Sequence, residues 1–353
     1  MRLPALPALP AQLHGVFQLA PGPVPVLMFV RVALAVGVPM LGFTLAGQPL
    51  AAVAAGATAM FVTLCDVGTT TRSRAAMMLL GIAAILVGGV AGDKFGGSTG
   101  VDEVLVVASA FIAAWVSNSQ PGLAVVARYG AVATAAGVGM QITNPLAVGA
   151  LLAGGLWSLT VGLLVGWLAG LPPSQANMDW RAGLRRALAG ADTGPRFAIV
   201  VGLTAALALF LANHFGMTRA YWATLTVVLV MRREGMVSLQ MTLRYLAGTM
   251  LGIPLAALLW HAAGGTQWLI ALLATLAAAS SRLGMALNPA LGFACMTIFM
   301  VLAVDLLRVF TDGPGTLVLG RLMDVGLGGA LALAGTVVAG AWHRSAVARD
   351  DKA

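Results

Sequence analysis

Apolar residues in this chain run in long blocks that are cut short at glycine, proline and charge clusters. A bilayer core about 30 Å thick needs about 20 apolar residues per helix, and the blocks have that scale. Their breaks predict spans near 26–45, 49–65, 74–92, 102–117, 122–141 and 145–170. A polar stretch over 171–195 carries Pro172-Pro173, Trp180, Arg181, Arg185 and Arg186. Six more spans follow, near 196–213, 219–232, 239–261, 266–281, 286–306 and 317–342. Of these, 49–65 and 219–232 are the least well marked as spans.

The second of these is ambiguous on local grounds. Tyr221 to Met231 reads YWATLTVVLVM, with Thr224 and Thr226 two residues apart, which is the pattern of a buried strand. A backbone at membrane depth must satisfy its own hydrogen bonds, so a strand outside a closed barrel is excluded. The segment is therefore read as a short, lipid-facing helix, entered at Arg219-Ala220-Tyr221-Trp222 and left at Arg232-Arg233. Its shortness marks it as a helix bordering a path through the protein.

The two sets of six spans share a rhythm at an offset of about 165–167 residues. Arg31 and Arg196 each open a first span, Asp66-Val67-Gly68 falls where Arg233-Glu234-Gly235 falls, and Gly81 falls where Gly248 falls. Six is even, so both halves enter the membrane the same way, which implies a parallel repeat with a central site between halves. The expected organisation is a Pro-rich tail (1–25), a first six-helix repeat (26–170), a linker (171–195), a second repeat (196–342) and a short tail (343–353). The first 25 residues hold six prolines and a single charge, Arg2. That is not the basic and apolar pattern of a signal peptide, so the tail is read as retained.

Composition agrees with lipid as the solvent. Of 353 residues, 59% are hydrophobic and 9% charged, and mean hydropathy is +0.93. A soluble domain carries about 25% charged residues; this chain has too few to wet its surface. The 44 glycines suit close helix packing in a bilayer. The fold class expected is an all-α integral membrane protein of about twelve transmembrane helices, with no sizeable soluble domain.

Charge then orients it. With the N-terminus inside, only Lys94, Arg219, Arg308 and Arg321 of the 20 Lys and Arg residues fall in outer loops, and the other sixteen lie on the inner side. Positive charge is retained on the cytoplasmic side, so both termini are expected there, in a plasma (bacterial inner) membrane. The net charge of +8 thus reflects topology and calls for no nucleic-acid partner. Two cysteines in apolar segments and four scattered histidines show neither a disulfide framework nor metal-ligand spacing, and no nucleotide-binding or hydrolytic motif appears. No metal, cofactor or enzymatic activity is expected.

A further pattern lies in the second half: Tyr221-Trp222-Ala223, an apolar run to Met231, a polar turn, then RYLAGTMLG from Arg244 to Gly252, and later GRLMDVGLGGAL over 320–331. It resembles the fusaric acid resistance protein family, whose members are similar to bacterial aromatic acid exporters and, more distantly, to plant aluminium-activated malate transporters. The resemblance is best over 196–345 and fainter over 26–170. It implies efflux or channel-like passage of small organic anions, aromatic carboxylic acids above all, through the inner membrane, and it leaves room for a periplasmic adaptor as partner. Two departures stand out. Many members carry a sizeable soluble domain where this chain has 25 residues, and Arg232-Arg233-Glu234 replaces a Pro-Asp-like turn.

Ionisable residues within spans are costly and face a cavity or a partner. Arg128, about two turns into the fifth span, either pairs with a substrate carboxylate or snorkels to the interface. Arg244, marked by the resemblance, either shapes an anion entry site or anchors a helix. Arg219, Tyr221 and Trp222 form an outer mouth that either stacks on an aromatic substrate or belongs to the interfacial aromatic belt. Asn288-Pro289 either starts a helix or offers free N–H groups to an anion. Asp305 with Arg308, and Arg321 with Asp324, are i,i+3 pairs sharing a helix face; they brace helix ends or supply a proton-coupling carboxylate. Asp66 is a further candidate of the same kind. Competing functions are a membrane-embedded enzyme on a lipid-linked substrate, which would need clustered carboxylates or histidines, and a non-transporting scaffold. Oligomeric state is left open.

Overall fold

A computed structural model describes residues 18–19, 26–68, 70–96, 100–117, 121–140, 144–169, 179–189, 195–217, 220–232, 235–307 and 314–350. Among these residues there are thirteen α-helices and no strand. The first six are α1 (Val26–Leu45), α2 (Pro49–Leu64), α3 (Thr71–Phe95), α4 (Val101–Val116), α5 (Pro121–Met140) and α6 (Pro145–Leu168). A short linker helix, α7 (Trp180–Ala189), precedes α8 (Pro195–His214), α9 (Tyr221–Val230), α10 (Gly235–Ala263), α11 (Gln267–Leu287), α12 (Pro289–Asp305) and α13 (Pro314–Asp350). Seven helices contain a stretch long and apolar enough to cross a membrane: α1, α3, α6, α8, α10, α11 and α13.

Local chemistry fixes where these helices begin. Pro49, Pro121, Pro145, Pro195, Pro289 and Pro314 each sit at a helix start, where a missing N–H costs nothing and the fixed φ favours the helix. Thr70 opens α3 with a reciprocal capping box to Ser73, and Asn144 and Asn288 cap α6 and α12 through the amide N–H two residues on. The α1–α2 and α8–α9 connections end their helices alike. Gly47 (φ 71°) and Gly216 (φ 64°) occupy the left-handed C′ position that favours glycine. The amides of Ala46, Gly47 and Gln48 reach Gly42, Thr44 and Phe43, as those of Phe215, Gly216 and Met217 reach Leu211, Asn213 and Ala212.

Packing follows the same plan on both sides of the linker. In the first half α1 lies on α2 and α6, α2 on α6, and α3 and α4 on α5; in the second, α8 lies on α9 and α13, α9 on α13, and α10 and α11 on α12. The halves join through α1 on α11, α4 on α8, and α5 on α9. Glycine allows the closest approaches. A Cβ at Gly88 or Gly248 would lie 2.5 Å from the carbonyl oxygen of Gly130 or Ala290. Gly92 and Gly252 meet Thr134 and Ala294 one turn on. Gly81, matched with Gly248 in the sequence, packs on the Cys65 side chain, whereas Gly248 meets backbone, as Gly88 does.

Large apolar side chains on the outside, among them Leu45, Val87, Trp167, Leu203, Phe210 and Leu258, are more than half exposed. Alanine and valine dominate the interior, with Trp222, Phe299 and several methionines the largest fully buried side chains. That distribution inverts the soluble pattern and suits a hydrocarbon solvent. Helix α9 departs from the sequence expectation in one respect. It is not lipid-facing: nine of its ten residues are buried, and the apolar run reflects burial at the centre of the protein. At 1.5 Å per residue it spans about 15 Å, half a bilayer core. The linker helix α7 was read as a polar stretch; it packs lightly on α4 and α5.

Candidate functional site: an arginine cluster leading to two chambers

Charges dispersed along the sequence converge at one end of the bundle. Asp66, just past α2, accepts two parallel hydrogen bonds from Arg74 of α3, Nε to Oδ1 at 2.8 Å and NH2 to Oδ2 at 2.7 Å. Arg31 of α1, 3% exposed, pairs with the same carboxylate, and Arg74 also reaches the Gly162 carbonyl of α6. Burial alone would push the Asp66 carboxyl up; the hydrogen bonds from Arg74 and the charges of Arg31 and Arg74 outweigh it and hold the carboxyl below its usual range. Asp66 is thus the hub of a four-helix clamp.

More arginines lie beside this clamp. Arg282 of α11 donates to the Thr63 carbonyl at 2.7 Å and is within electrostatic reach of Asp66 and Tyr129. Tyr129 interacts with Arg128, Arg282 and Arg232. Arg232, past the end of α9, lies within electrostatic reach of Arg128 and Tyr129. Arg31, Arg74 and Arg282 thus surround the Asp66 carboxylate, and Arg128 and Arg232 join Arg282 around Tyr129. Among the described residues, neither Arg128 nor Arg282 has a carboxylate at ion-pairing distance.

Behind the arginines, two cavities open between the halves. The near chamber, about 430 Å³ of atom-free space with its mouth included, is lined by Phe61, Tyr129, Tyr245, Phe293, Thr297 and Arg321, among others. Phe61 stacks on Tyr129 at 4.9 Å, and Tyr245 meets Phe293 edge-on at 5.1 Å. The far chamber, about 820 Å³ on the same measure, shares Phe61, Val132, Leu225 and Met300 with the near one. Its walls come from α2, α3, α5, α6, α9 and α12, and among the described residues no charged side chain lines it. Together the chambers extend from Tyr129, beside the arginines, to Leu50 and Leu307 near the opposite ends of α2 and α12.

The candidates named from sequence are distributed unevenly over this site. Arg128 belongs to the arginine cluster, and Tyr221 and Trp222 line the far chamber. Arg321 lines the near chamber, its guanidinium 3.0 Å above the Trp222 ring, a cation–π contact. Asp324, one turn on, is buried. Asp305 accepts a hydrogen bond from Trp260, and Asn288 is the cap of α12, also donating to the Gln18 carbonyl. Arg244 lines neither chamber. Arg219 and Arg308 lie outside the described residues. The sequence reading passed over Arg31, Arg74, Arg232, Arg282 and Tyr129, whose only common signal was an inner-side position in the predicted topology.

The residues that wall both chambers from α9 to α13 fall in one stretch, 207–335, which matches a family model described as fusaric acid resistance protein-like. Over this matched domain, residues 207–335, the chain is similar to that family. That domain supplies Tyr221, Trp222, Tyr245, Arg282 and Arg321, whereas the Asp66 clamp, Arg128, Tyr129 and Phe61 lie before it. Neither a curated protein nor a solved structure matches the chain.

Proposed function

We propose that this protein is an inner-membrane exporter of small organic anions, aromatic carboxylic acids above all, and that the cargo passes between two six-helix halves. The observation that carries the reading is the pair of half-buried guanidinium groups, Arg128 and Arg282, held beside Tyr129 where the inter-half chambers begin. Half-buried positive charge with no carboxylate at ion-pairing distance among the described residues attracts an anion, and a guanidinium holds a carboxylate through two parallel hydrogen bonds. The aromatic walls of the near chamber then receive the ring. The fusaric acid resistance protein-like domain supports the same class of activity.

In this reading the halves arose by duplication. The matched helix pairings, the two glycine turns and the reciprocal contacts α1 on α11 and α4 on α8 support it. The chain crosses the bilayer at each of the twelve helices other than α7, the short α9 completing its crossing with the residues that flank it; both termini are cytoplasmic, and the arginine end faces the cytoplasm, as the positive-inside asymmetry favours. Arginines there draw the anion from the cell interior, and the proton gradient or passive flux drives it outward.

Uptake of labelled benzoate by proteoliposomes, under an imposed voltage or pH gradient, tests the reading. Wild type should carry it, and Arg128→Ala should insert at normal levels yet lose at least tenfold in flux. Equal flux in both proteins removes Arg128 from the path, and no flux in wild type under either gradient refutes aromatic-acid export.

A further inference from the structure

Three of the residues that line the apolar far chamber bear side-chain polar atoms: Thr58, Tyr221 and Trp222. Trp222 Nε1 and Thr58 Oγ have no hydrogen-bond partner among the described residues, and both residues line the chamber. They are 2% and 0% exposed. Buried polar groups are ordinarily satisfied, because leaving one unpaired is costly. Most other buried threonines obey that rule, with Thr249 an exception outside the chamber: Thr44, Thr204, Thr226 and Thr275 each donate to the carbonyl four residues back. Thr58, in the same kind of helix, does not.

A third feature shows where the room lies. Gly89 of α3 is buried and lines the chamber, yet a Cβ built on it would meet nothing within 4 Å. By contrast, Gly88 and Gly92 beside it press on the backbone of α5. The Arg321 guanidinium over the Trp222 ring fixes the indole plane, so the N–H has one direction in which to donate. An indole nitrogen only donates, and a hydroxyl donates or accepts.

We infer that the far chamber binds an uncharged, hydrogen-bond-accepting group on an apolar body, a carbonyl, ether or phenolic oxygen, read by Trp222 Nε1 and Thr58 Oγ. The inference rests on the two chambers forming one path, and it assigns the part of the cargo that is not the carboxylate. Arginines at the near end hold the charge; the far chamber discriminates among acids by a neutral acceptor at the other end of the molecule. Arg321 is a positioning residue here.

Two probes of one shape separate these roles: acetophenone, which carries a carbonyl, and ethylbenzene, which does not. In nanodiscs holding the ¹⁵N-tryptophan-labelled protein, the Trp222 indole resonance, assigned with Trp222→Phe, should shift saturably with acetophenone and stay in place with ethylbenzene. Thr58→Val should weaken acetophenone about fivefold, the loss of one hydrogen bond. Gly89→Leu, which fills the chamber, should abolish the shift. A shift with both probes, with neither, or one that survives Gly89→Leu overturns the assignment. In proteoliposomes, wild type should prefer 4-acetylbenzoate to 4-ethylbenzoate, and Trp222→Phe should bring the ratio towards one. An intact resonance shift without flux of any acid counts against the export reading alone. Flux with no resonance shift overturns the chamber assignment alone.

Discussion

Gly89 and Gly92 lie three residues apart on α3 and predict opposite outcomes. A glycine in a helix interior is roughly 0.5–1 kcal/mol less stable than alanine, because it gives up more backbone freedom. At Gly89 that gain comes free, since a Cβ there meets nothing within 4 Å; Gly89→Ala should stabilise the protein by about that amount. At Gly92 the Cβ would land on the Thr134 carbonyl of α5, with the Val138 nitrogen 3.0 Å away. Backbone cannot yield as a side-chain tip can. Overpacking there costs about 1–3 kcal/mol, which exceeds the helix gain, so Gly92→Ala should lower stability. Thermal unfolding followed by size-exclusion of the detergent-solubilised protein reads both signs. Function should separate the other way: Gly89→Leu projects into the far chamber and should cut aromatic-acid flux at least tenfold in a protein at least as stable as wild type. The reasoning fails if Gly92→Ala is as stable as wild type, or if Gly89→Leu folds and still carries cargo at the wild-type rate.

Two further outcomes follow from the clamp and the turns. Asp66→Asn leaves Arg31 buried without its counter-charge, a loss of about 3–5 kcal/mol, visible as a fall in Tm. Because the Asp66 carboxyl is held below its usual range, its stabilisation is complete above the unfolded value near 3.9 and is lost as pH falls through the folded value below that; the mutant should lack this acid-side decline in Tm. Gly47→Ala and Gly216→Ala place a Cβ in the left-handed region and should each cost about 1 kcal/mol. Near-equal losses fit duplicated turns, whereas a loss at one turn only would speak against their equivalence.

Much of this architecture was legible in the sequence because membrane helices announce themselves by length. Span 26–45 coincides with α1, and spans 49–65, 122–141 and 196–213 lie within one residue of α2, α5 and α8 at each end. Proline at six helix starts made those ends readable. Helix α9 was legible as a helix from the demands of the bilayer, while its burial was not, since periodicity disappears when every face is covered. The clamp was opaque for a different reason: Arg31, Asp66 and Arg74 appeared only as charges at one end, and nothing local says that α1 and α3 bring two guanidinium groups to one carboxylate. Trp222 and Arg321 are 99 residues apart, and their contact depends on α9 packing against α13. Gly81 and Gly248 have unlike neighbours, the Cys65 side chain against the Ala290 backbone, and small residues recur too often in a Gly- and Ala-rich chain for the sequence alone to fix a register.

The most direct test of passage between the halves is substrate protection at the chamber wall. A single cysteine at Gly89→Cys, with Cys65→Ala and Cys295→Ala removing the native thiols, should react with a small methanethiosulfonate reagent. Modification should stop benzoate flux in proteoliposomes, and saturating benzoate should slow the modification. If the cysteine is fully modified while flux continues unchanged, the cargo does not cross between the halves.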